Sequence, residues 1–374
     1  MKHVAICVVL ILLLFGAVAH AQDPRPQYPA SDLLTFPDDH LMHIEDDVVQ
    51  EGAFVEWLYY TGVMEDDATG DLWGFQITLF VSPFLGQASY GYEVALSDTT
   101  NETFWHHRGI GLGTVGTDEN IFDDGLFSLA YVSEDDAWAI AYEGDVTHYA
   151  SGDTMPLSLS IMVDNDDGEY IVHAEDGLVA MGSLDDCAVD KATLDGYSWY
   201  YSLPTVPTTM TATLGDQSYE MTGSTWFDHQ WGNFIDCNLR WNWWGLRLDD
   251  GTTLILTQIL DQDGNVVPEL PSGAIYYPDG TALDLLQEDV TFNVLREWTN
   301  PLLDINFTLE FEIVTPDGSY TLIPYFDDQT LTPETIPPSD PYWEGIVRIL
   351  DESGEQIGRG YFEVVPTVSG APNE

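Results

Sequence analysis

Basic residues are scarce in this chain. Nine Lys and Arg stand against 64 Asp and Glu, for a formal net charge of −55. Nucleic acid and anionic membrane surfaces both need a cationic footprint, so neither is expected as a partner. The acidity reads as a solvation adaptation, with counter-cations on the acidic surface as a second use. Cysteine is scarce too. Cys7 lies in the N-terminal apolar run, which leaves Cys187 and Cys237 either for one disulfide or as two buried thiols. After that first run no apolar stretch is long enough to span a bilayer. Gly-x-Ser-x-Gly, P-loop, dinucleotide-binding and His-Glu-x-x-His patterns are all missing, so the familiar hydrolase, nucleotide and zincin readings lose their basis. No window carries a sustained 3.6-residue apolar stripe, which argues against amphipathic helices.

The chain opens with Met1-Lys2-His3, an apolar run from Val4 to Val18, and Ala19-His20-Ala21. A basic start, an apolar stretch and an Ala-x-Ala site predict a cleaved signal peptide over 1–21 and a secreted or periplasmic protein. About 350 residues remain, enough for two domains, placed at 22–200 and 201–366 with a disordered tail over 367–374. Strand signals dominate. Leu157, Leu159, Ile161 and Val163 alternate with polar or flexible neighbours, as do Phe307, Leu309, Phe311 and Ile313. Gly215-Asp216 sits between two such runs as a hairpin turn. Asp164 to Glu169 and Asp261 to Asn265 resemble calcium loops in composition, lack the full ligand spacing, and read as turns. Short strands punctuated by turns predict an all-β protein of barrel or sandwich type.

The richest segment is Trp226-Phe227-Asp228-His229-Gln230-Trp231-Gly232. A carboxylic acid in apolar surroundings tends to keep its proton, and aromatic faces can shelter a cation. Asp228 is the candidate proton donor, with His229 orienting it or activating water. Glu56 leads the aromatic run Trp57-Leu58-Tyr59-Tyr60 and is the third catalytic candidate. Trp57, Tyr59, Tyr201, Trp226, Trp231, Trp243 and His40 are the candidate ligand-binding side chains. For any single ring, plain core packing is the commoner use, and Asp228 could instead fix a turn through backbone amides. His40-Leu41-Met42-His43 and His106-His107 supply imidazoles, but no motif joins them into a zinc set, so neither a catalytic metal nor a cofactor is expected.

These segments together resemble the AttH-like, lipocalin-type proteins that include the carotenoid 1,2-hydratases. The similar pieces run from Phe36-Pro37-Asp38-Asp39-His40-Leu41-Met42-His43 and Glu56-Trp57-Leu58-Tyr59-Tyr60-Thr61-Gly62, through the Trp226–Gly232 segment and Trp241-Asn242-Trp243-Trp244-Gly245, to Tyr342-Trp343-Glu344-Gly345 and Gly360-Tyr361-Phe362-Glu363. The resemblance implies two tandem lipocalin-like antiparallel β domains with a ligand space at or between them. It implies an apolar ligand, isoprenoid, polyene or lipid, and a cofactor-free, acid-catalysed hydratase, isomerase or cyclase. The alternative is a non-catalytic lipid or pigment carrier. The usual Trp-Trp pair after the N-terminal Glu reads Trp57-Leu58 here. Where the hydratases carry Tyr-x-Asp, this chain reads Leu256-Thr257-Gln258.

Overall fold

The computed structural model describes residues 34–36, 38–45, 49, 52–165, 170–174, 176–181, 195–234, 240–261, 263–268, 270–332 and 341–366. The expected signal peptide, both candidate disulfide cysteines, most of the Asp164–Glu169 turn and the C-terminal tail lie outside these residues. Strands make up about two thirds of what is described, turns and loops most of the rest, and the helical pieces there are two short 3-10 turns, Asp38–His40 and Gln287–Asp289. No helix among the described residues is long and apolar enough to cross a membrane.

The first sheet closes on itself. Its core strands are β1 (Phe54–Asp66), β2 (Leu72–Phe84), β3 (Gln87–Asp98), β4 (Thr103–Gly113), β7 (Ala137–His148), β8 (Asp153–Asp164), β11 (Tyr197–Leu214) and β12 (Gln217–Asn233). They pair in the circular order β11-β12-β1-β2-β3-β4-β7-β8, and β8 returns to β11. Closure removes the exposed edges that an open sheet must protect. Short strands β5 (Phe122–Asp123) and β6 (Phe127–Val132) extend from β7, while β9 (Ile171–Val172) and β10 (Leu178–Ala180) pair with β11.

The second sheet stays open. Its strands are β13 (Arg240–Leu248), β14 (Thr253–Leu260), β15 (Pro271–Tyr276), β16 (Ala282–Leu286), β17 (Thr291–Asn300), β18 (Ile305–Val314), β19 (Ser319–Pro324), β20 (Thr330–Leu331), β21 (Tyr342–Leu350) and β22 (Gln356–Val364). They run in the order β16-β15-β14-β13-β22-β21-β19-β18-β17, a half-barrel with β20 on β21. The fold is therefore all-β, with two lipocalin-like antiparallel units. The expected division after Tyr200 falls inside β11, which continues to Leu214 as a barrel strand, and β12 is still a barrel strand. The change from one sheet to the other comes between Asn233 and Arg240.

Period-two alternation builds these strands. Along β8, Leu157, Leu159, Ile161 and Val163 are buried while Ser160 and Met162 face solvent. Along β18, Phe307, Leu309, Phe311 and Ile313 enter the core of the open sheet. Gly215 takes a positive φ of 60° between Leu214 and Gln217, closing the expected β11–β12 hairpin. The Asp261 carboxylate accepts the backbone N–H groups of Asp263 and Asn265, so that segment too is a turn.

Three apolar layers follow. One fills the barrel and one fills the open sheet. The third, containing Tyr59, Tyr200, Trp226, Trp243, Ile255, Ile346 and Tyr361, lies in the seam where the barrel's outer wall meets the open sheet. Each large side chain fully buried there contributes about 1.5–3 kcal/mol. Gly74 makes the close approach possible, since a Cβ there would stand 2.0 Å from the Tyr361 hydroxyl.

Candidate active site in the seam between barrel and open sheet

Successive residues of a strand point to opposite faces, and this divides the predicted site residues into two groups. On β12, Phe227, His229 and Trp231 face the barrel interior, and Trp226 and Asp228 face the seam. On β1, Glu56 pairs with Trp231 and faces inward, while Tyr59 pairs with Asp228 and faces outward. Asp228 and His229 therefore do not meet. The expectation that His229 orients Asp228 is corrected by strand parity.

In the seam, one transverse row crosses six barrel strands. Cross-strand pairing aligns Ser202, Asp228, Tyr59, Thr78, Glu93 and Arg108. A second row faces it from the open sheet, Trp243 beside Glu363 beside Glu344. Asp228 is 3% exposed. It accepts hydrogen bonds from the Tyr200 hydroxyl at 2.9 Å, the Trp226 indole N–H at 2.7 Å and the Ser202 hydroxyl. Burial outweighs these donors and pushes its carboxyl up to about 7. The Tyr59 hydroxyl crosses the seam to donate to Glu344 Oε1. Among the described residues, Glu344 Oε2 is buried without a partner. Burial, reinforced by the neighbouring Glu363, holds the Glu344 carboxyl well above its ordinary range, and burial together with Glu93 raises Glu363 to about 8. Glu93 differs from these acids, because Arg108 pairs with it and the Tyr342 hydroxyl donates to it. Trp243 stands edge-on to Trp226 and Tyr59, with ring centroids at 5.5 and 5.3 Å. Trp57 lies at the seam's margin, stacked on Trp241 at 6.1 Å. A groove of about 530 Å³ lies beside the seam between β1, β12, β13 and β22, and none of these acids lines it. A cleft of about 650 Å³ between the Asp66–Thr69 and Gln217–Glu220 segments touches none of these acids.

The inward-facing group closes one end of the barrel. The Asp38–His43 segment is clamped there. Glu56 accepts the His43 backbone N–H on both oxygens at 2.9 Å, and its Oε1 also meets His43 Nδ1 and His229 Nε2, each at 2.9 Å. His43 Nε2 meets the Asp39 carboxylate at 3.1 Å, and His229 Nδ1 meets the Asp39 carbonyl at 3.0 Å. Burial pulls the His43 imidazole down, but its hydrogen bonds and charge pairing with Asp39 and Glu56 prevail and raise it to about 9. The ring stacks on Trp231 at 3.9 Å. His40 Nδ1 meets the Tyr201 hydroxyl at 2.7 Å, and burial lowers the His40 imidazole to about 4. His43, Glu56 and His229 are the described residues whose atoms converge as a metal set would, within 4.8 Å of one another. Ligands on a tetrahedral zinc stand about 3.3 Å apart. The 2.9 Å contacts, with Asp39 oxygens on the other imidazole nitrogens, fit a charge-assisted hydrogen-bond clamp better.

A family model for AttH-like proteins matches residues 27–366. The chain belongs to the AttH-like family. Among solved structures, it is similar to an AttH protein from Nitrosomonas europaea, with 24% identity over 91% of this chain and 98% of that one, at a TM-score of 0.75. It is also similar to kievitone hydratase from Nectria haematococca, with 14% identity over 92% of this chain and 98% of that one, at a TM-score of 0.64. These two likenesses carry the fold. No curated protein matches the sequence.

In this AttH-like protein the seam gathers Asp228, Tyr59, Trp226 and Trp243 from the predicted site, with Trp57 at its margin. Glu56, His229, His40, Tyr201 and Trp231 belong to the barrel-end clamp. The seam also holds residues to which sequence reasoning gave no role: Tyr200, Ser202, Glu93, Glu344 and Glu363. Tyr200 and Ser202 share a parity along β11 and face Asp228 only through cross-strand register. Glu344 sits inside the Tyr-Trp-Glu-Gly segment, whose acid between aromatics was the available signal.

Proposed function

We propose that this protein binds an apolar small molecule along the seam and carries out cofactor-free proton transfer on it, of hydratase, isomerase or cyclase type. Asp228 is the carboxyl that exchanges the proton. The supporting observation is its setting: a buried acid held by three donors, beside Trp226 and Trp243, in a seam whose opposite wall carries Glu344. In a hydration, the Asp228 proton would form a C–H bond at an alkene carbon. Water would close the resulting tertiary cation, and the proton released would return to the carboxylate. Trp226 and Trp243 would shelter the cation, each contributing up to about 2 kcal/mol when desolvated. Most of the barrier must then be lowered by the dry, preorganised acid and its donors. Kievitone hydratase, by its name a hydratase, has a similar fold, which is consistent with this chemistry. The leader-like first residues fit an exported protein.

The test is to incubate the purified protein with apolar lipid extracts and polyenes, and to identify what stays bound and what changes. A ligand whose mass rises by one water, or which rearranges at constant mass, with both changes lost in Asp228→Asn, supports the reading. A ligand released unchanged makes the protein a carrier using the same seam.

A further inference from the structure

The barrel-facing side of the open sheet carries a third row, beyond the acids. Arg247 on β13 pairs with Arg359 on β22, which pairs with Arg348 on β21. Three of the nine basic residues in the chain thus stand side by side on adjacent strands. Like charges directly opposite each other destabilise a sheet, and with 64 acids in the chain a carboxylate partner could readily have been placed beside them. Among the described residues, none of the three forms an ion pair. Their partners are neutral. Arg247 donates to the Pro204 carbonyl and the Ser224 hydroxyl, both on the barrel. Arg359 Nε donates to the Tyr325 hydroxyl at 3.1 Å. Arg348 donates to the Pro324 carbonyl and lies 5.1 Å from the Tyr325 ring centroid, and its Nε is buried without an acceptor among the described residues.

Position gives the row its meaning. Arg247 and Arg359 line the groove beside the seam, together with Val63, Ser224 and Thr253, while Glu65 and Asp249 stand on its exposed rim. Between this row and the acid row lies one row of Gly245, Tyr361 and Ile346. Arg359 and Arg348 are four residues from Glu363 and Glu344 along their strands, and Arg247 is four from Trp243, a distance of about 13 Å.

We propose that the Arg247–Arg359–Arg348 row is the head-group site for a single-chain amphiphile bearing a carboxylate, whose apolar chain parts the closed layer of Tyr361 and Ile346 to reach the acid row. Guanidinium forks recognise carboxylates through paired, charge-assisted hydrogen bonds. The inference rests on the seam being the ligand site. It adds that the ligand is anionic at one end and that its reacting carbon lies about 13 Å from the head.

The experiment measures binding of a fluorescent polyene fatty acid, cis-parinaric acid, and of its uncharged methyl ester. Wild type should bind the acid about tenfold more tightly than the ester. Arg359→Gln should remove that preference and leave ester binding unchanged, which also shows that the variant is folded. Arg359→Lys should restore part of the preference. Arg247→Met repeats the test at a residue that also braces the barrel, so its ester affinity is read first. Equal affinities for acid and ester in wild type, untouched by Arg359→Gln, would overturn the head-group site and leave the seam reading standing. Binding of neither probe would count against the seam itself, and against this inference with it.

Discussion

Asp228 and His229 are neighbours in the chain and face opposite sides of β12. Asp228 lies in the seam among Tyr200, Ser202 and Trp226. His229 lies inside the barrel on Glu56. An Asp-His pair that looks like one catalytic unit serves two different sites, and the two substitutions should separate. Asp228→Asn should lower turnover by about 10²–10⁴-fold and keep the protein folded. His229→Gln should act mainly on stability, read by thermal unfolding.

The raised Asp228 carboxyl sets the sign of a stability effect. Between its ordinary range and about 7, the folded state holds the proton and the unfolded state does not. Stability therefore falls as pH rises through that window and levels off above it. Asp228→Asn should remove this slope. Unfolding in denaturant at pH 4 and pH 8, wild type against variant, measures the difference.

If Asp228 must hold its proton to react, activity should decline as pH rises through about 7. Trp226→Phe deletes one donor to the carboxylate. That disfavours the charged form and should move the falling limb of the pH profile to higher pH. A limb that stays in place would mean that another group sets it.

The barrel-end clamp titrates the other way. The His43 imidazole is raised from 6.5 to about 9 by its carboxylate partners. Its stabilisation is complete below 6.5 and is lost as pH rises through about 9. Glu56→Gln removes one partner of a buried charge pair and should cost about 3–5 kcal/mol. Proteolysis within Asp38–His43 should become faster in that variant, and in wild type above the same pH.

Charge makes a further prediction. With a net charge of −55, self-repulsion opposes compaction and salt screens it. The melting temperature should rise steadily with added sodium chloride. An unchanged melting temperature would show that the acids are already neutralised locally.

Much of the fold was legible because strand alternation is a local property. The runs at Leu157–Val163 and Phe307–Ile313 announce half-buried strands without any partner being known. The site was legible only in part. Trp226 and Asp228 share a parity, and so do His229 and Trp231, yet reading the segment as one cluster ignored that rule. Ser202, Tyr200 and Glu93 reach the site through register across neighbouring strands, and Glu344 reaches it from the other sheet. Those relationships exist only after folding. That β11 continues past Tyr200 was not legible for a related reason, since nothing local marks that β11 and β12 complete the barrel.

The central claim is that the ligand lies in the seam and not inside the barrel. A crystal structure with the bound ligand, taken from the extract that the protein itself selects, tests it most directly. The account predicts the ligand against Trp226 and Trp243, with its reacting carbon within reach of Asp228. A ligand inside the barrel, against Trp231 and Tyr201, would contradict it.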